Sequence, residues 1–356
     1  MRKIRRIAAA VLALAVLTVG AYLAYVLAAY YRLEDGLALT VENNAGSLLK
    51  TETEYTAMTY NVGFFAYSAD YSFFMDGGTE SRARSVEAVE TNYAGAAAVI
   101  READPDLLLM QEVDVDATRS HHTDQLAMVR EILPEHGSVF AQNYDSPYLF
   151  WPLTEPHGAS RAGQVTFSRF RAESALRRSL PVETGLTKFL DLDRCYSVTR
   201  IPVEGGRELC LYNAHLSAYT SDGTIATEQL QLLLADMAAE YAAGNYVICG
   251  GDFNKDLLGD SGSVFGVSGE DYTWAQAFPE ELIPEEITLV SSLDADAPVA
   301  SCRNANEAYN PATSFRITVD GFLVSANVEA ESRVLDTGFA WSDHNPVTLK
   351  FVLKNF

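Results

Sequence analysis

The sequence predicts a mixed α/β (α+β) domain built from packed layers and preceded by one N-terminal transmembrane helix. Short apolar runs typical of strands alternate with segments of helical periodicity, without the regular strand–helix–strand order of a purely parallel sheet. The chain starts with basic residues and a long apolar segment, and several later apolar runs end in polar residues. Hydrophobic residues make up 48% and charged residues 21%, as in folded globular proteins.

The N-terminal segment has the length and composition of a membrane span. Residues 7–31 contain no charged side chain, and at about 1.5 Å per helical residue they are long enough to cross a bilayer. The basic residues that precede this segment predict a cytoplasmic N-terminus, with the rest of the chain outside the cytoplasm. A cleaved signal peptide is the alternative, and the domain would then be secreted.

These features divide the chain into four parts. We predict a basic cytoplasmic tail (1–6), a transmembrane signal anchor (7–31), a linker (32–54) and one folded domain (55–356).

The charge balance is strongly acidic. Beyond residue 35 the chain has 21 basic and 46 acidic residues, a net charge of −25. A polyanionic duplex is repelled at long range by such a domain, which weighs against a nucleic-acid binder. The four cysteines form no CxxC pair, so a zinc knuckle is not indicated. A disulfide between Cys195 and Cys302 is left open.

Apolar periodicity predicts eight strands and two helices. The strands are expected over 56–62, 107–110, 165–168, 208–213, 246–249, 315–319, 322–325 and 347–353, and the helices over 85–101 and 227–241.

Polar side chains follow several of these strands at the point where each strand ends. They are Asn61, Glu112, His215, Asp252, Asn254, Asp343 and His344. Strand ends meet along one edge of a layered sheet domain, where ligand sites usually lie. We therefore expect residues nearly 300 positions apart to share one pocket. Carboxylates with an amide suit Mg²⁺ or Mn²⁺. Together with two histidines, such an ion indicates hydrolysis of a phosphate ester.

Six segments resemble, in order, the motifs of the endonuclease/exonuclease/phosphatase superfamily, the DNase I-like proteins. They are Thr59-Tyr60-Asn61-Val62, Gln111-Glu112, Asn213-Ala214-His215-Leu216, Gly251-Asp252-Phe253-Asn254, Asp320-Gly321-Phe322 and Ser342-Asp343-His344-Asn345-Pro346. The resemblance covers roughly residues 55 to 354. It implies a four-layer sandwich in which helices flank two central mixed β-sheets, and it makes residues 55–356 the catalytic domain.

The resemblance also implies a metal site. Glu112 would be the principal ligand, with Asn61 beside it and Asp343 as a further ligand. The implied ion is Mg²⁺, with Mn²⁺ as the alternative.

The catalytic roles come from the same resemblance. Asp252 would position or activate the attacking water, and Asn254 would orient that water or a phosphoryl oxygen. His344 would contact the scissile phosphate and be held in its tautomer by Asp320. His215 would be the second histidine that faces the phosphate.

The expected activity is metal-dependent phosphoester hydrolysis outside the cytoplasm, at the membrane. The expected substrate is a lipid headgroup or small organophosphate, with nucleic acid ranked below these, and no protein partner is evident. Two alternatives stay open: an extracellular DNase I-like endonuclease, and a non-catalytic surface binding module.

Several other residues carry weaker expectations. Four histidines are predicted to be exposed or in loops: His121, His122, His136 and His157. Arg161, Lys188 and Arg194 are candidate phosphate contacts. The aromatic residues within 143–151 are assigned either to the substrate cleft, to core packing or to a membrane-facing lip.

Overall fold

Two seven-stranded mixed β-sheets form the centre of the domain in the computed structural model, which describes residues 1–183, 192–218, 223–294 and 296–355. The first sheet has the strand order β15-β16-β3-β4-β6-β5-β2. Its strands are β2 (Val41–Glu42), β3 (Glu54–Asn61), β4 (Leu107–Ala117), β5 (Gly137–Leu149), β6 (Gly158–Ser168), β15 (Val328–Val334) and β16 (Val347–Leu353).

The second sheet has the order β1-β7-β8-β9-β10-β14-β11. Its strands are β1 (Leu37–Ala38), β7 (Ser174–Ser179), β8 (Cys195–Val203), β9 (Arg207–His215), β10 (Tyr246–Asp252), β11 (Ile287–Val290) and β14 (Asp320–Ser325). A separate pair joins β12 (Cys302–Arg303) to β13 (Arg316–Ile317). The helices in the described residues are α1 (Arg2–Ala29), α2 (Val86–Ala103), α3 (Gln125–Arg130), α4 (Thr224–Ala242) and α5 (Ser261–Phe265).

Alternating side chains on each strand create the layers. On β4, Leu108 and Met110 pack in a core with Val89 of α2, whereas Leu107 and Leu109 pack in the core between the two sheets. A third core lies between the second sheet and α4, where Leu233 packs with the strand residues. The predicted four-layer sandwich, with helices outside two mixed sheets, is therefore confirmed.

Local sequence explains where helix α2 begins and ends. The Ser85 side chain caps α2 by accepting a hydrogen bond from the Ala88 N–H at 3.2 Å. The helix ends at Asp104, which has a left-handed φ of 41° and precedes Pro105. The predicted helix over 85–101 is thus observed with small shifts at its ends.

One expectation differs from the structure, and one open question is answered by it. The segment predicted as a linker, 32–54, contributes β1 and β2 to the edges of both sheets, and its Leu49 is fully buried. Cys195 and Cys302 are free, buried strand residues, so no disulfide joins them. Both lie in short polar-looking stretches whose burial depends on contacts distant in sequence. The predicted phosphate contact Lys188 lies outside the described residues.

Candidate active site

Sheet topology brings the ends of several strands to one edge. In one sheet β3 pairs in parallel with β4, so Asn61, the last residue of β3, lies beside Gln111 of β4. In the other sheet β9 pairs in parallel with β10, so His215 and Asp252 end their strands side by side. A hydrogen bond between Asn61 and Asp252 shows that these two strand ends meet. Asp252 pairs with His215 on β9 and with Asp320 at the start of antiparallel β14. The loop before β16 reaches the same edge. Chain direction and register therefore gather side chains from six segments.

The Asp252 carboxylate occupies the centre of this group. Its Oδ2 atom accepts a hydrogen bond from Asn61 Nδ2 at 3.0 Å. It lies 3.5 Å from His215 Nε2 and 3.9 Å from His344 Nε2. Its Oδ1 atom accepts from the Asn254 N–H at 2.9 Å. Burial raises the pKa of Asp252, and the nearby Asp320 carboxylate raises it further.

The His344 ring is oriented by Asp320. His344 Nδ1 lies 2.7 Å from Asp320 Oδ2, and both side chains are buried. Burial by itself lowers the pKa of His344, but the Asp320 carboxylate outweighs it and holds that pKa well above the usual histidine value. Nδ1 therefore donates to Asp320, and Nε2 is directed toward Asp252.

The second histidine is in the opposite state. His215 is buried, and burial together with the Arg194 guanidinium holds its pKa well below the usual value. Its imidazole is consequently neutral at physiological pH. Two histidines near one carboxylate thus carry different charges because only one of them has a carboxylate on its far nitrogen.

Glu112 reaches the site through a β-bulge. The pairing of β4 with β6 shifts register between Met110 and Val113, and Glu112 has a left-handed φ of 58°. Its Oε1 atom accepts a hydrogen bond from Asn61 Nδ2 at 3.3 Å. The sequence predicts that the strand ends at Met110, but the strand continues through the bulge to Ala117.

Asp343 completes an oxygen-rich group with Glu112 and Asn61. Ser342 Oγ donates to the Asn61 carbonyl at 2.9 Å, which fixes the Asp343 loop beside β3. Burial raises the pKa of Asp343 to about 6, and the Glu112 carboxylate adds to this effect. Carboxylates that repel one another in a buried position suit a divalent cation, whose charge relieves the repulsion.

A different set of possible metal ligands also lies close together in the described part of the chain. Atoms of Asp252, Asp320 and His344 are within 4.8 Å of one another. The hydrogen bond between His344 and Asp320 already engages one atom of each, so this triad fits an oriented imidazole better than an ion. Glu112 and Asp343, which both line the cleft, are the better fit to a hard cation.

The site opens into a cleft of about 420 Å³. Six of the eight predicted site residues line it: Glu112, His215, Asp252, Asn254, Asp343 and His344. Asp320 and Asn61 are buried beside those residues and are not part of the cleft lining.

Sequence reasoning missed several residues of the cleft wall. Arg119 is buried, forms an ion pair with Asp114 at 2.8 Å and lies 4.0 Å above the Phe64 ring. Arg303 is buried and donates to the carbonyls of Ser68 and Tyr71. No local pattern marks these arginines, because their surroundings come from distant segments.

All four histidines predicted to be exposed or in loops lie outside the helices and strands, but two of them are not exposed. His136 and His157 are buried, and His157 lines the cleft, with its Nδ1 atom 2.7 Å from the Ser81 carbonyl. Backbone carbonyls at hydrogen-bonding distance make their burial tolerable. His122, by contrast, is exposed and pairs with Asp116.

Two of the predicted cationic contacts and the aromatic stretch also have definite places. Arg194 lines the cleft, whereas Arg161 is exposed on β6. Asn143 and Tyr144 line the cleft, and Phe150 and Trp151 are exposed. The stretch therefore contributes to the cleft wall at its start and is exposed at its end.

Solved structures share this architecture. An endonuclease/exonuclease/phosphatase protein from Beutenbergia cavernae is 19% identical, covers 85% of this chain and 72% of its own, and has a TM-score of 0.58. ANGEL2, a 2′,3′-cyclic phosphatase in complex with adenosine-2′,3′-vanadate, is 18% identical over 85% and 96% of the two chains, with a TM-score of 0.56. The catalytic domain of human Nocturnin is 18% identical over 85% and 95%, with a TM-score of 0.54. At these identities the likeness shows the fold.

Sequence comparison gives the family. No curated protein sequence matches the chain significantly. Residues 58–344 match the model of the endonuclease/exonuclease/phosphatase family, and this range spans most of the chain and all eight predicted site residues. The chain therefore belongs to the endonuclease/exonuclease/phosphatase family, whose members are hydrolases of phosphate ester bonds and generally use divalent metals.

Proposed function

We propose that this chain is a divalent-metal-dependent phosphoesterase that cleaves a phosphodiester or phosphomonoester with an activated water, outside the cytoplasm at the membrane. The observation that carries the proposal is the environment of Asp252 Oδ2. Side chains from three other segments (Asn61, His215 and His344) approach this one buried oxygen within 3.0–3.9 Å.

In this proposal Glu112, Asp343 and Asn61 hold the ion. Glu112 and Asp343 offer carboxylate oxygens, and Asn61 offers its amide Oδ1 atom, which also accepts a hydrogen bond from the Gly63 N–H at 3.0 Å. Oxygen ligands favour Mg²⁺, with Mn²⁺ as the alternative. When bound, such an ion supplies Lewis-acid neutralisation of the phosphoryl oxygens.

Side chains of the protein activate the water and bind the phosphate. Asp252 accepts a hydrogen bond from the attacking water and takes its proton as the water oxygen bonds to phosphorus and the bond to the leaving oxygen breaks. Asn254 orients the water or a phosphoryl oxygen beside it. His344 directs Nε2–H at the phosphate, because its Nδ1 atom is engaged by Asp320. Neutral His215 contacts the phosphate from the other side of Asp252.

The proposed location rests on α1. This 28-residue helix is long and apolar enough to cross a membrane, and its most apolar window is not buried in the domain. Arg2, Lys3, Arg5 and Arg6 favour a cytoplasmic N-terminus. Protease added to intact cells that express the chain should then degrade the domain, whereas a protected domain would place it in the cytoplasm.

The charge of the domain bears on the substrate. A net charge of −25 beyond residue 35 disfavours approach to a polyanion. A lipid headgroup or small organophosphate therefore ranks above nucleic acid. The cyclic phosphatase ANGEL2, which has this fold, was crystallised with adenosine-2′,3′-vanadate, a small ligand. This supports a small organophosphate as a substrate of the present chain.

The test uses the full chain in lipid nanodiscs. Bis-p-nitrophenyl phosphate, sphingomyelin incorporated in the nanodisc bilayer, and plasmid DNA are assayed in Mg²⁺ or Mn²⁺, with and without EDTA. We expect EDTA to abolish activity and Mg²⁺ to restore it. Asp252→Ala and His344→Ala should each lower kcat roughly 10²-fold or more, because each removes a group that acts on the reacting atoms.

The matched control is His122→Ala, since His122 is exposed and pairs with Asp116 away from the cleft. Its kcat should stay within about twofold of the unmodified chain. Equal losses in all three variants would discredit the assigned residues. Cleavage of no phosphoester would favour the binding module, and faster plasmid nicking than lipid cleavage would favour the extracellular endonuclease.

A further inference from the structure

An exposed apolar tip projects from the turn between β5 and β6. We define the aromatic tip as Phe150, Trp151 and Leu153, whose exposed fractions are 51%, 65% and 77%. Among the described residues beyond Tyr31, Trp151 and Leu153 are the two most exposed large apolar side chains. Clustered apolar side chains at the surface of a folded domain mark an interaction site.

The aromatic tip is joined to the N-terminal helix. Tyr22 Oη donates a hydrogen bond to the Tyr148 carbonyl at 3.1 Å, and the Tyr148 N–H donates to Tyr25 Oη at 3.0 Å. The Tyr22 and Phe150 rings meet edge to face, with centroids 5.2 Å apart. The tip is therefore continuous with a helix that has the properties of a membrane span.

The position of Tyr22 along α1 sets a depth. Tyr22 precedes the last helical residue, Ala29, by about 10 Å at the usual rise per residue. If α1 crosses a bilayer with Arg5 and Arg6 at the cytoplasmic headgroups, about 20 residues after them fill the hydrocarbon core. Tyr25 then lies at the outer level where the acyl chains meet the headgroups, and Tyr22 lies about one turn inside it. Tyr and Trp side chains are enriched at this level because it accepts both their apolar rings and their polar atoms.

The backbone holds the tip outward and beside the cleft. The Trp151 carbonyl accepts a hydrogen bond from the N–H of His157, a residue of the cleft wall, at 3.0 Å. Further along the turn, Ser81 Oγ donates to the Glu155 carbonyl at 2.5 Å. These bonds tie the turn to the cleft wall while its apolar side chains stay exposed.

We propose that the aromatic tip inserts into the interfacial region of the bilayer that α1 crosses, and that the cleft thereby takes its phosphoester from lipid headgroups. The inference rests on the membrane location in the proposed function. A second membrane contact adds to the bonds between Tyr148 and α1 in holding the domain at one orientation to the bilayer. It places the cleft wall next to the headgroup phosphates. Lipid headgroups then reach the cleft more readily than phosphoesters dissolved in the bulk solution.

Brominated lipids test insertion without reference to catalysis, because bromine quenches tryptophan only at short range. The full chain is placed in nanodiscs of phosphatidylcholine that is either unmodified or dibrominated near the top of the acyl chains. We expect brominated lipid to quench a component of the emission that Trp151→Phe removes. Trp274 and Trp341 remain in both samples and are cancelled by this comparison.

The matched control moves the fluorophore. Leu232 lies on α4 and is 36% exposed. In a Trp151→Phe background, Leu232→Trp should be unaffected by bromination. Equal quenching of the unmodified chain and of Trp151→Phe, with unchanged circular dichroism, would overturn insertion.

Activity tests the second half of the proposal. The triple variant Phe150→Ser, Trp151→Ser, Leu153→Ser should lose roughly tenfold in kcat/KM on headgroup phosphoesters in vesicles. On soluble bis-p-nitrophenyl phosphate it should stay within about twofold. If brominated lipid quenches Trp151 but the triple variant and the unmodified chain are equally active on vesicles, insertion stands and only the delivery of headgroups to the cleft is overturned. Quenching in a chain that cleaves no phosphoester would refute the proposed function and leave insertion standing.

Discussion

A carboxylate on the far side of an imidazole decides which histidine of this site carries charge. Asp320 is 2.7 Å from His344 Nδ1, whereas His215 Nδ1 has no hydrogen-bond partner among the described residues. Both rings are buried, so burial alone would leave both neutral. The Asp320 carboxylate stabilises an imidazolium at His344 only. The same contact fixes the direction of Nε2, which is what a phosphate-binding histidine requires.

Asp320→Asn removes this charge while keeping the shape of the side chain. We expect kcat to fall on the order of 10–10²-fold, because the imidazolium is no longer stabilised, and KM to change little. Steady-state kinetics on bis-p-nitrophenyl phosphate, with a thermal unfolding curve for each protein, provide the measurement. An unchanged kcat in a folded variant would show that Asp320 does not act through His344.

His157 predicts a pH dependence of stability. Burial, reinforced by the Arg119 guanidinium, lowers the pKa of His157 to about 4. The usual value of about 6.5 applies to the unfolded chain. Between these values the unfolded chain takes up a proton that the folded chain does not. The free energy of unfolding therefore falls as the pH drops from 6.5 toward 4, by on the order of 2–3 kcal/mol in total.

The variant His157→Gln cannot take up this proton in either state, and its amide can still donate to the Ser81 carbonyl. Urea unfolding at several pH values between 7 and 4.5 should give a shallower slope for this variant than for the unmodified chain. Parallel slopes would rule out His157 as the source.

At the scale of elements, the two sheets are joined directly beneath the site by polar side chains. Gln111 Nε2 donates to Asn213 Oδ1 at 2.8 Å, and Asn213 Nδ2 donates to the Val165 carbonyl at 3.1 Å. All of these atoms are buried between β4, β6 and β9. The contact aligns the end of β9, which carries His215, with the bulge of β4, which carries Glu112.

Asn213→Ala leaves the Gln111 amide and a strand carbonyl without this partner in a buried place. The free energy of unfolding should fall by about 1–3 kcal/mol, the usual cost of a buried polar group that loses its hydrogen bond. Chemical denaturation measures the change. Asn355→Ala, at an exposed position near the C-terminus, is the control and should stay within about 0.5 kcal/mol.

The elements also show what sequence patterns can and cannot predict. The last strand was predicted with its observed bounds, 347–353, because its alternating side chains face opposite layers. The bulge at Glu112 was not predictable, since it arises from a register shift against β6, a partner fifty residues away in the chain. For the same reason the short strands of 32–54, which have only distant partners, looked like a linker.

At the scale of the whole molecule, strand order brings the site together. Nothing in the local sequence pairs β3 with both β4 and β16, or β10 with both β9 and β14. The six ordered motifs contain the residues at those strand ends. The resemblance to a family therefore indicates which distant segments come together, which apolar periodicity cannot do. Arg119, Arg303 and His157 stand outside those motifs, and only the folded chain places them in the cleft.

The overall charge gives the last prediction, which concerns substrates of different charge. The domain carries a net charge of −25 beyond residue 35, and a duplex is a polyanion, so the two repel at long range. Salt screens this repulsion, since the Debye length falls from about 30 Å at 0.01 M to about 8 Å at 0.15 M. At constant Mg²⁺, added KCl should therefore raise kcat/KM for plasmid nicking severalfold, the opposite of the usual behaviour of nucleic-acid-binding proteins. The kcat/KM for a zwitterionic headgroup in vesicles should change little over the same range, because such a substrate has no net charge to be repelled. A nicking rate that falls with salt would instead reveal a local basic surface strong enough to overcome the field of the domain, and nucleic acid would then rank above lipid as the substrate.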